Sequence, residues 1–360
     1  MLDLLKLAFY KYRQLPLYLI HFVTEQCNLR CRHCFLKKNS AAIENELTAK
    51  QIRNFCQSID SNLYQVALTG GETFLRDDLV DIAKSYLELT PVRILQIASN
   101  GLLQDRISKM MAEIVQIDPA KLISLNFSID GLPEVHDYIR ESAGIFEQVV
   151  STYKKLAEFQ KKTLNLILNI NLTVSKSNEN QLVPLYSFLK KKLKAENISI
   201  TLIRGNPEHE SEKDFEINKY KFFCDHVKSE FLKQDFSLNK QDFVRTIVEI
   251  QNILARDRIY KTLKKNKFIG PCYAGNLIGV IDSAGHLYPC EFKKYKIADL
   301  KKDDFKTAWK KYYSRPERKI LKKKCYCTHE CFLLVNVLFN LAYFPQIGYY
   351  FFKKIIGKIQ

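Results

Sequence analysis

The sequence has no recognisable secretory signal. Residues 1–18 begin with apolar side chains, but Asp3, Lys6, Lys11 and Arg13 interrupt the run and no small-residue cleavage site follows. We therefore expect a cytoplasmic protein. An internal repeat at fixed period and a low-complexity tract are also absent, and the hydrophobic content of 46% is enough to bury a large core. This composition excludes a wholly disordered chain.

Acidic residues are scarce relative to basic ones. The 360 residues include 39 Asp and Glu against 56 Lys and Arg, which gives a formal net charge of +17. Such an excess fits nucleic acid, a membrane surface or an acidic substrate, but lysine runs are also normal on solvated helix faces. These runs carry few interleaved aromatic residues, so a stacking nucleic-acid surface is disfavoured. The runs are Lys190–Lys192, Lys264–Lys267, Lys293–Lys296 and Lys322–Lys324.

The ten cysteines are unevenly distributed. Three lie within Cys27–Cys34 and five within Cys272–Cys331, and only Cys56 and Cys224 are isolated. We predict that the two isolated cysteines are ordinary buried thiols. In a cytoplasmic chain, clustered cysteines indicate metal or redox chemistry rather than a disulfide framework.

Short runs of β-branched and large apolar residues alternate with helical patterns. This alternation predicts parallel βα units, and the apolar run Leu164–Leu172 suggests a sheet covered on both faces. The predicted fold class is α/β, a partial (βα)6 TIM-like barrel with a small C-terminal cysteine-rich module. The predicted strands are Tyr18–Val23, Tyr64–Leu68, Val92–Ala98, Leu122–Ile129, Leu164–Val174 and Ile198–Ile203.

Polar or glycine-rich segments follow five of these strands. Chemistry in such folds collects at the C-terminal ends of the strands, so these segments are expected to meet at one site. They are Thr24–Cys34, Gly70–Glu72, Ser99–Gly101, Asp130–Gly131 and Arg204–Gly205.

The first cysteine group has the form C-x3-C-x2-C, with Cys27, Cys31 and Cys34 in one loop. A [4Fe-4S] cluster usually takes four thiolates, so three cysteines would leave one iron open to bind a further ligand. A structural zinc site with His33 as the fourth ligand is the alternative. Because His33 is adjacent to Cys34, joint chelation of one ion is awkward, and we favour the iron–sulfur cluster.

This loop, just after the first strand, resembles the signature of the radical S-adenosylmethionine (SAM) superfamily. The resemblance implies a catalytic [4Fe-4S] cluster on the three cysteines, whose open iron binds SAM and which cleaves it reductively to a 5′-deoxyadenosyl radical. Gly70-Gly71-Glu72 resembles the GGE motif, in which the acid would hold the SAM amino group, although Thr73 stands where proline is frequent.

Three later segments extend the resemblance. Ser99-Asn100-Gly101 and Ser128-Ile129-Asp130-Gly131 resemble segments that contact the ribose and the methionine moiety of SAM. The helix Pro133–Arg140 resembles one that would bring Arg140 near the SAM carboxylate, and Asn171 or Thr173 is a weaker candidate contact. Each segment alone is common in structural turns, and their joint occurrence in order is what carries the resemblance.

The second cysteine group begins with C-x12-G-x4-C from Cys272 through Gly285 to Cys290. Residues 277–288 predict a hairpin that turns at Asp282–Gly285 and brings Cys272 and Cys290 together. The pattern resembles the start of SPASM/twitch modules, which implies one auxiliary [4Fe-4S] cluster. Its other two ligands would come from Cys325, Cys327 and Cys331, with Cys327 and Cys331 preferred because a C-x-C pair is cramped, and structural zinc is the alternative.

The predicted organisation has five parts: an apolar N-terminal segment 1–17, a barrel 18–205, a helical connection 206–267, a cysteine-rich module 268–331 and an apolar tail 332–360. Phe332–Phe352 carries no charge, but polar residues, Pro345 and Gly348 break the run. The sequence therefore does not predict a membrane span. We expect the tail either to pack on the barrel or to contact a membrane surface.

The function expected from the resemblance is hydrogen abstraction from a peptide, glycolipid or small molecule, with flavodoxin or ferredoxin as electron donor. Two alternatives remain at this point. One is a basic zinc-stabilised protein that binds nucleic acid, and the other is a membrane-surface assembly factor that does not cleave SAM.

Overall fold

The computed structural model describes residues 15–36, 44–59, 63–234, 240–292, 295–315 and 327–356. Its first half confirms the predicted alternation of six strands with helices. The elements are β1 Tyr18–Thr24, α1 Ala49–Cys56, β2 Gln65–Gly70, α2 Leu79–Leu89, β3 Ile94–Ser99, α3 Gln104–Ile117, β4 Leu122–Ser128, α4 Pro133–Arg140, α5 Ile145–Gln160, β5 Leu166–Val174, α6 Leu182–Lys191 and β6 Asn197–Leu202.

The second half is helical and then mixed, as predicted. The hairpin lies where the sequence placed it, and the Gly285 amide donates to the Asp282 carbonyl at 3.0 Å to close its turn. Gly285 has a φ of +90°, a conformation that favours glycine. The elements are α7 Ile217–Lys233, α8 Lys240–Lys265, β7 Ile278–Ile281, β8 His286–Tyr288, β9 Ala298–Asp299, α9 Phe305–Tyr313, α10 Glu330–Leu338 and α11 Phe344–Ile356.

The nine strands of the described residues belong to one open sheet in the order β6-β5-β4-β3-β2-β1-β7-β8-β9. The strands from β6 to β7 are parallel, and β7–β8 and β8–β9 are antiparallel. Within β1, Ile20 lies opposite Ala67 of β2 on one side and opposite Val280 of β7 on the other. The cysteine-rich part of the chain therefore continues the sheet of the barrel, and β1 is the strand that both parts share.

Local sequence explains where several helices begin. Thr48 caps α1 with a capping box, in which its side chain accepts from the Gln51 amide and the Gln51 side chain accepts from the Thr48 amide. Pro133 stands in the first turn of α4, where its missing N–H costs nothing. On the helix-covered face of the sheet, Leu68, Ile97 and Leu125 are fully buried in the main core.

The other face of the sheet is partly polar and lines a cavity. Along β5 fully buried residues alternate with half-buried Asn169, Asn171 and Thr173. The expectation that this strand is covered on both faces is therefore wrong, because the open barrel leaves its inner face to a cavity. The polar strand residues that line this cavity are Gln65, Thr69, Gln96, Ser99, Asn126, Ser128, Asn169, Asn171, Thr173, Ser199 and Thr201.

The C-terminal helices differ in burial. In α10, Phe332, Leu333 and Val337 are fully buried, whereas α11 exposes Phe344, Tyr349 and other apolar side chains. Within the described part of the chain, no helix by itself has the length and apolar character of a membrane span. By length and composition alone, two consecutive segments could span a membrane together, namely Glu330–Leu338 and Leu341–Ile355. Their axes are bent by 84° relative to each other.

Candidate active site

A cavity of about 970 Å³ opens at the C-terminal ends of the barrel strands. One part of its wall carries the three cysteines of the first group, Cys27, Cys31 and Cys34. Another part carries Cys331 of the second group, on α10. The predicted gathering of these segments at one edge of the sheet is thus observed.

Backbone bonds fasten the Cys27–Cys34 loop to the segment after β2. The Gly71 amide donates to the Thr24 carbonyl at 2.9 Å, and the Glu72 amide donates to the Gln26 carbonyl at 2.7 Å. A Cβ at Gly70 would lie 2.1 Å from the Thr24 oxygen, and one at Gly71 would lie 2.0 Å from the Gln26 oxygen. Both glycines are therefore required for the loop to approach, and both also line the cavity.

The Glu72 carboxylate faces the protein interior. It is 1% exposed, and its oxygens accept hydrogen bonds from the Ser99 hydroxyl at 2.9 Å, the Asn100 amide at 2.7 Å and the Phe74 amide at 3.1 Å. Burial raises its pKa to about 7 although these donors favour the charged form. The carboxylate oxygens accept from the chain's own donors, and Gly70 and Gly71 are the residues of the motif that line the cavity, so the expectation that Glu72 holds the SAM amino group stays a prediction.

Asn100 links the end of β3 to the cysteine loop. Its side-chain nitrogen donates to Oδ1 of Asn28 at 2.7 Å, and its Oδ1 accepts from the Leu102 amide at 3.1 Å. Ser99, Asn100 and Ser128 all line the cavity, as do the weaker candidates Asn171 and Thr173. The fold thus places these predicted cofactor-binding residues on the wall of the same cavity.

Arg140 lies between Cys31 and Asp130. Its Nη1 donates to Cys31 Sγ at 3.4 Å, and its Nη2 donates to Asp130 Oδ2. Burial alone would lower the pKa of Arg140, but Asp130 and Cys31 raise it. Burial would likewise raise the pKa of Asp130, but Arg140 holds it below its usual range. The Thr173 amide donates to Asp130 Oδ1 at 2.7 Å, so Asp130 orients Arg140 from behind the cavity wall.

Burial favours the neutral form of two thiols of the first group, Cys27 and Cys34. Desolvation raises the pKa of Cys27 to about 11 and raises the pKa of Cys34. His33 is largely buried, which lowers its pKa to about 4, and its Nδ1 has no hydrogen-bond partner among the residues that the structure describes. Among the described residues, no three His, Cys, Asp or Glu side chains converge as ligands of a single metal ion.

Four cysteines of the second group come together in one apolar cluster. Cys290 and Cys327 are buried in it, and Cys272 and Cys331 pack against it. The Phe292 amide donates to Cys290 Sγ and the His329 amide to Cys327 Sγ, each at 3.4 Å. Cys325 lies outside the described residues. Cys56 and Cys224 are buried, as predicted.

A charged network borders the second group, and it centres on Glu291. This carboxylate accepts from Arg204 Nε at 3.0 Å and lies 2.7 Å from His329 Nε2. Arg204 and His329 hold the pKa of Glu291 far below its usual range despite burial. Burial would lower the pKa of His329, but Glu291 raises it to about 9. The His329 side chain in turn lowers the pKa of Cys331, against the effect of burial.

Sequence reasoning missed Glu291, Asn28 and Arg256. Glu291 directly follows Cys290, and its position beside a predicted ligand was the available signal. Asn28 lies inside the first cysteine loop and holds Asn100. Arg256 lines the cavity from α8, in a stretch whose sequence shows no motif.

The residues present fit a three-thiolate cluster and a nucleoside-sized molecule. Three cysteines share one short loop on the cavity wall, with a guanidinium against one thiol and glycine backbone beside them. The volume of the cavity falls at the upper end of the range for ligand pockets.

A model of the radical SAM superfamily matches residues 22–188. Residues 22–188 are a radical SAM domain. The family implies a [4Fe-4S] cluster and SAM, and the open α/β sheet is that of its partial TIM barrel.

Relatives extend this comparison. Pre-heme d1 synthase of Dinoroseobacter shibae is 30% identical over 164 residues, which are 44% of this chain and 37% of that protein. AdoMet-dependent heme synthase of Methanosarcina barkeri is 26% identical over 301 residues, 80% of each chain. Streptococcus suis SuiB bound to precursor peptide SuiA has a TM-score of 0.60 at 17% identity, covering 92% of this chain and 73% of that one. The chain thus spans well under two thirds of the first of these relatives.

Proposed function

We propose that the protein is a radical SAM enzyme that abstracts hydrogen from an organic substrate bound in the strand-end cavity. The observation that carries this proposal is a single cavity of about 970 Å³ whose wall includes Cys27, Cys31 and Cys34 as well as the SAM-type segments Gly70–Gly71 and Ser99–Asn100. When bound, a [4Fe-4S] cluster would supply the electron that cleaves SAM to a 5′-deoxyadenosyl radical.

The chain's own residues would position the reactants. Arg140 holds the Cys31 sulfur and is itself oriented by Asp130, so the loop keeps its geometry. Asn100 and Ser128 offer hydrogen-bonding groups to SAM, and the Gly70–Gly71 backbone allows close approach. The half-buried polar residues of β5 and β6 offer further donors and acceptors to a substrate.

We further propose one auxiliary [4Fe-4S] cluster on Cys272, Cys290, Cys327 and Cys331. Their clustering in one apolar region and the amide-to-sulfur bonds at Cys290 and Cys327 support this ligand set. Amide donors to sulfur and nearby charge are features that tune such clusters. A structural zinc on the same thiols is the competing assignment.

Iron, sulfide and zinc analysis after anaerobic reconstitution tests both proposals. About eight irons per chain supports two cubane clusters, and about four with one zinc supports the zinc assignment at the second group. Formation of 5′-deoxyadenosine that depends on reductant then tests the chemistry. Zinc without iron would overturn the proposed function and favour the nucleic-acid alternative.

The electron donor and the location of the protein remain proposals. A small reductant such as flavodoxin or ferredoxin would supply the electron. A cytoplasmic protein that touches a membrane surface fits the exposed apolar side chains of α11 and its neighbour Leu341, together with the adjacent Lys353.

A further inference from the structure

Arg256 is a buried arginine that faces the cavity from α8. It is 4% exposed, and within the described part of the chain its Nε and Nη2 atoms have no hydrogen-bond partner. Asn252, Ala255 and Arg256 all line the cavity. Positions three and four apart lie on the same face of a helix, so these residues form one strip of the wall.

Two other arginines of the cavity wall are neutralised within the chain, whereas Arg30 in the cysteine loop is exposed to solvent. Arg140 pairs with Asp130, and Arg204 pairs with Glu291. Arg256 has no carboxylate within ion-pair distance among the residues that the structure describes. A buried charge without a partner is costly, so an opposite charge from a ligand would relieve it.

We propose that Arg256 receives an anionic oxygen group of the substrate, a carboxylate or a phosphate. The planar guanidinium presents parallel N–H groups that match the two oxygens of either anion. Asn252 on the same helix face and the hydroxyls of Ser199 and Thr201 on β6 line the same cavity and can complete the contact. The assignment of the anion to a substrate rests on the proposed function, whereas the presence of an anion site at Arg256 does not.

The position of Arg256 gives this contact a role in orientation. The cysteine loop follows β1 and Arg256 lies on α8, so the two line the same cavity from different elements. An anion held there would fix one end of the substrate and leave another part of it toward the cysteine loop. Orientation of this kind is what radical hydrogen abstraction needs, because the reacting atoms must be close and aligned.

Calorimetric titration of the reconstituted, SAM-loaded protein with glutarate and with inorganic phosphate tests the site. We expect saturable binding of at least one probe, and Arg256→Gln should weaken it about tenfold or more, the usual value of a charge-assisted hydrogen bond. The probe that binds more tightly identifies a carboxylate or a phosphate group. Absence of binding to the unaltered protein, or equal affinity in the variant, would overturn the proposal.

Two further variants make the result specific. Arg258 on the same helix is buried but does not line the cavity, and it donates to the Pro271 carbonyl at 2.8 Å. Arg258→Gln should therefore leave the affinity for the probe unchanged. Arg256→Lys keeps the charge without the planar fork, so it should bind more tightly than Arg256→Gln but less tightly than arginine, and it serves if the glutamine variant does not fold.

The same titration without SAM tests whether Arg256 binds the carboxylate of SAM itself. If the probe binds equally with and without SAM, the site is separate from that of the SAM carboxylate, and displacement of the probe by SAM would overturn the proposal. Reductant is absent throughout. Failure of SAM cleavage would therefore refute the proposed function without affecting the anion site. Failure of probe binding would refute the anion site without affecting the proposed function.

Discussion

The two cysteine regions of this protein are built in different ways. The first is one loop of eight residues, Cys27–Cys34, in which the Arg32 amide donates to the Ile139 carbonyl of α4 and the Cys34 carbonyl accepts from the Glu208 amide. The second draws Cys272 and Cys290 from either side of a hairpin, Cys327 from the segment before α10 and Cys331 from α10 itself. A loop motif can therefore be recognised from spacing, whereas the second group exists only because the hairpin and α10 pack together.

Their electrostatic environments differ as well. A histidine stands next to a cysteine in the first group and two residues before one in the second, but burial lowers the pKa of His33 to about 4, and Glu291 raises that of His329 to about 9 despite burial. Close to His33, Asp130 is already paired with Arg140. Similar sequence neighbours thus acquire opposite charge states from their tertiary partners.

The largest expected effect separates the first region from the second. Cys31→Ala should remove the iron of the first site and abolish 5′-deoxyadenosine formation, because two thiolates do not hold the cluster in its loop. Iron content and reductant-dependent SAM cleavage are the measurements. Cys56→Ala, a change at an isolated buried thiol, is the matched control and should retain both. Normal cleavage by Cys31→Ala would refute the ligand assignment.

Cys290→Ala addresses the second region alone. We expect the iron content to fall by about four per chain while the first cluster stays, so SAM cleavage without substrate should persist. Iron analysis and electron paramagnetic resonance of the reduced protein measure this. Cys224→Ala is the control. Loss of all iron from Cys290→Ala would show that the two regions do not hold their metals independently.

Acid should destabilise both regions together through His21 on their shared strand. Burial lowers the pKa of His21 to about 3, so on acidification the unfolded state takes up a proton at a higher pH than the folded state does. The contribution of His21 to the free energy of unfolding is therefore greatest well above pH 6.5 and falls as the pH drops toward 3. Between pH 6.5 and 4.5 the free energy of unfolding should fall by about 2 kcal/mol. Denaturant unfolding at the two pH values measures it.

His21→Gln should remove that part of the pH dependence. His21 Nδ1 lies 2.9 Å from the Tyr86 hydroxyl, and Tyr86→Phe removes this contact without removing the titrating group. The phenylalanine variant is therefore the control and should keep the pH dependence. Equal slopes for wild type and His21→Gln would contradict the assignment.

Gly71→Ala should loosen the first region specifically. Its Cβ would lie 2.0 Å from the Gln26 carbonyl oxygen, so the loop must move, at a cost of about 1–3 kcal/mol in unfolding free energy and with weaker SAM binding. Thermal unfolding and SAM titration check this. Gly348→Ala meets no atom within 4 Å and should not destabilise the protein. An unchanged affinity for SAM in Gly71→Ala would count against the close approach.

The smallest expected effect concerns the tail that follows the second region. Phe352 and Tyr349 of α11 are largely exposed, and Phe352→Ser should reduce co-sedimentation with anionic phosphatidylserine vesicles by a few-fold. Leu164→Ser, at an exposed leucine before β5, is the control and should not change it. Equal vesicle binding by both variants, or none by the wild type, would remove the membrane-surface proposal.

Much of the fold could be predicted because its periodicity is local. The helix Pro133–Arg140 has the predicted bounds, since a leading proline and amphipathic spacing are properties of consecutive residues. The polar inner face of β5 was visible in Asn169 and Asn171, but a run of leucine and isoleucine suggested two covered faces. Only the open barrel reveals that one face meets a cavity.

The sequence by itself determined the βα order, the cysteine spacing and the glycines that let the first loop approach β2. These properties depend on neighbours in the chain, where propensity, turn geometry and chelate spacing act. The tertiary structure alone decided that Glu72 faces inward and that Glu291 raises the pKa of His329. It also decided that Arg256 lines the cavity with no carboxylate partner among the described residues. Burial and long-range pairing set these properties, because the free energy of a charge depends on what the whole fold places around it.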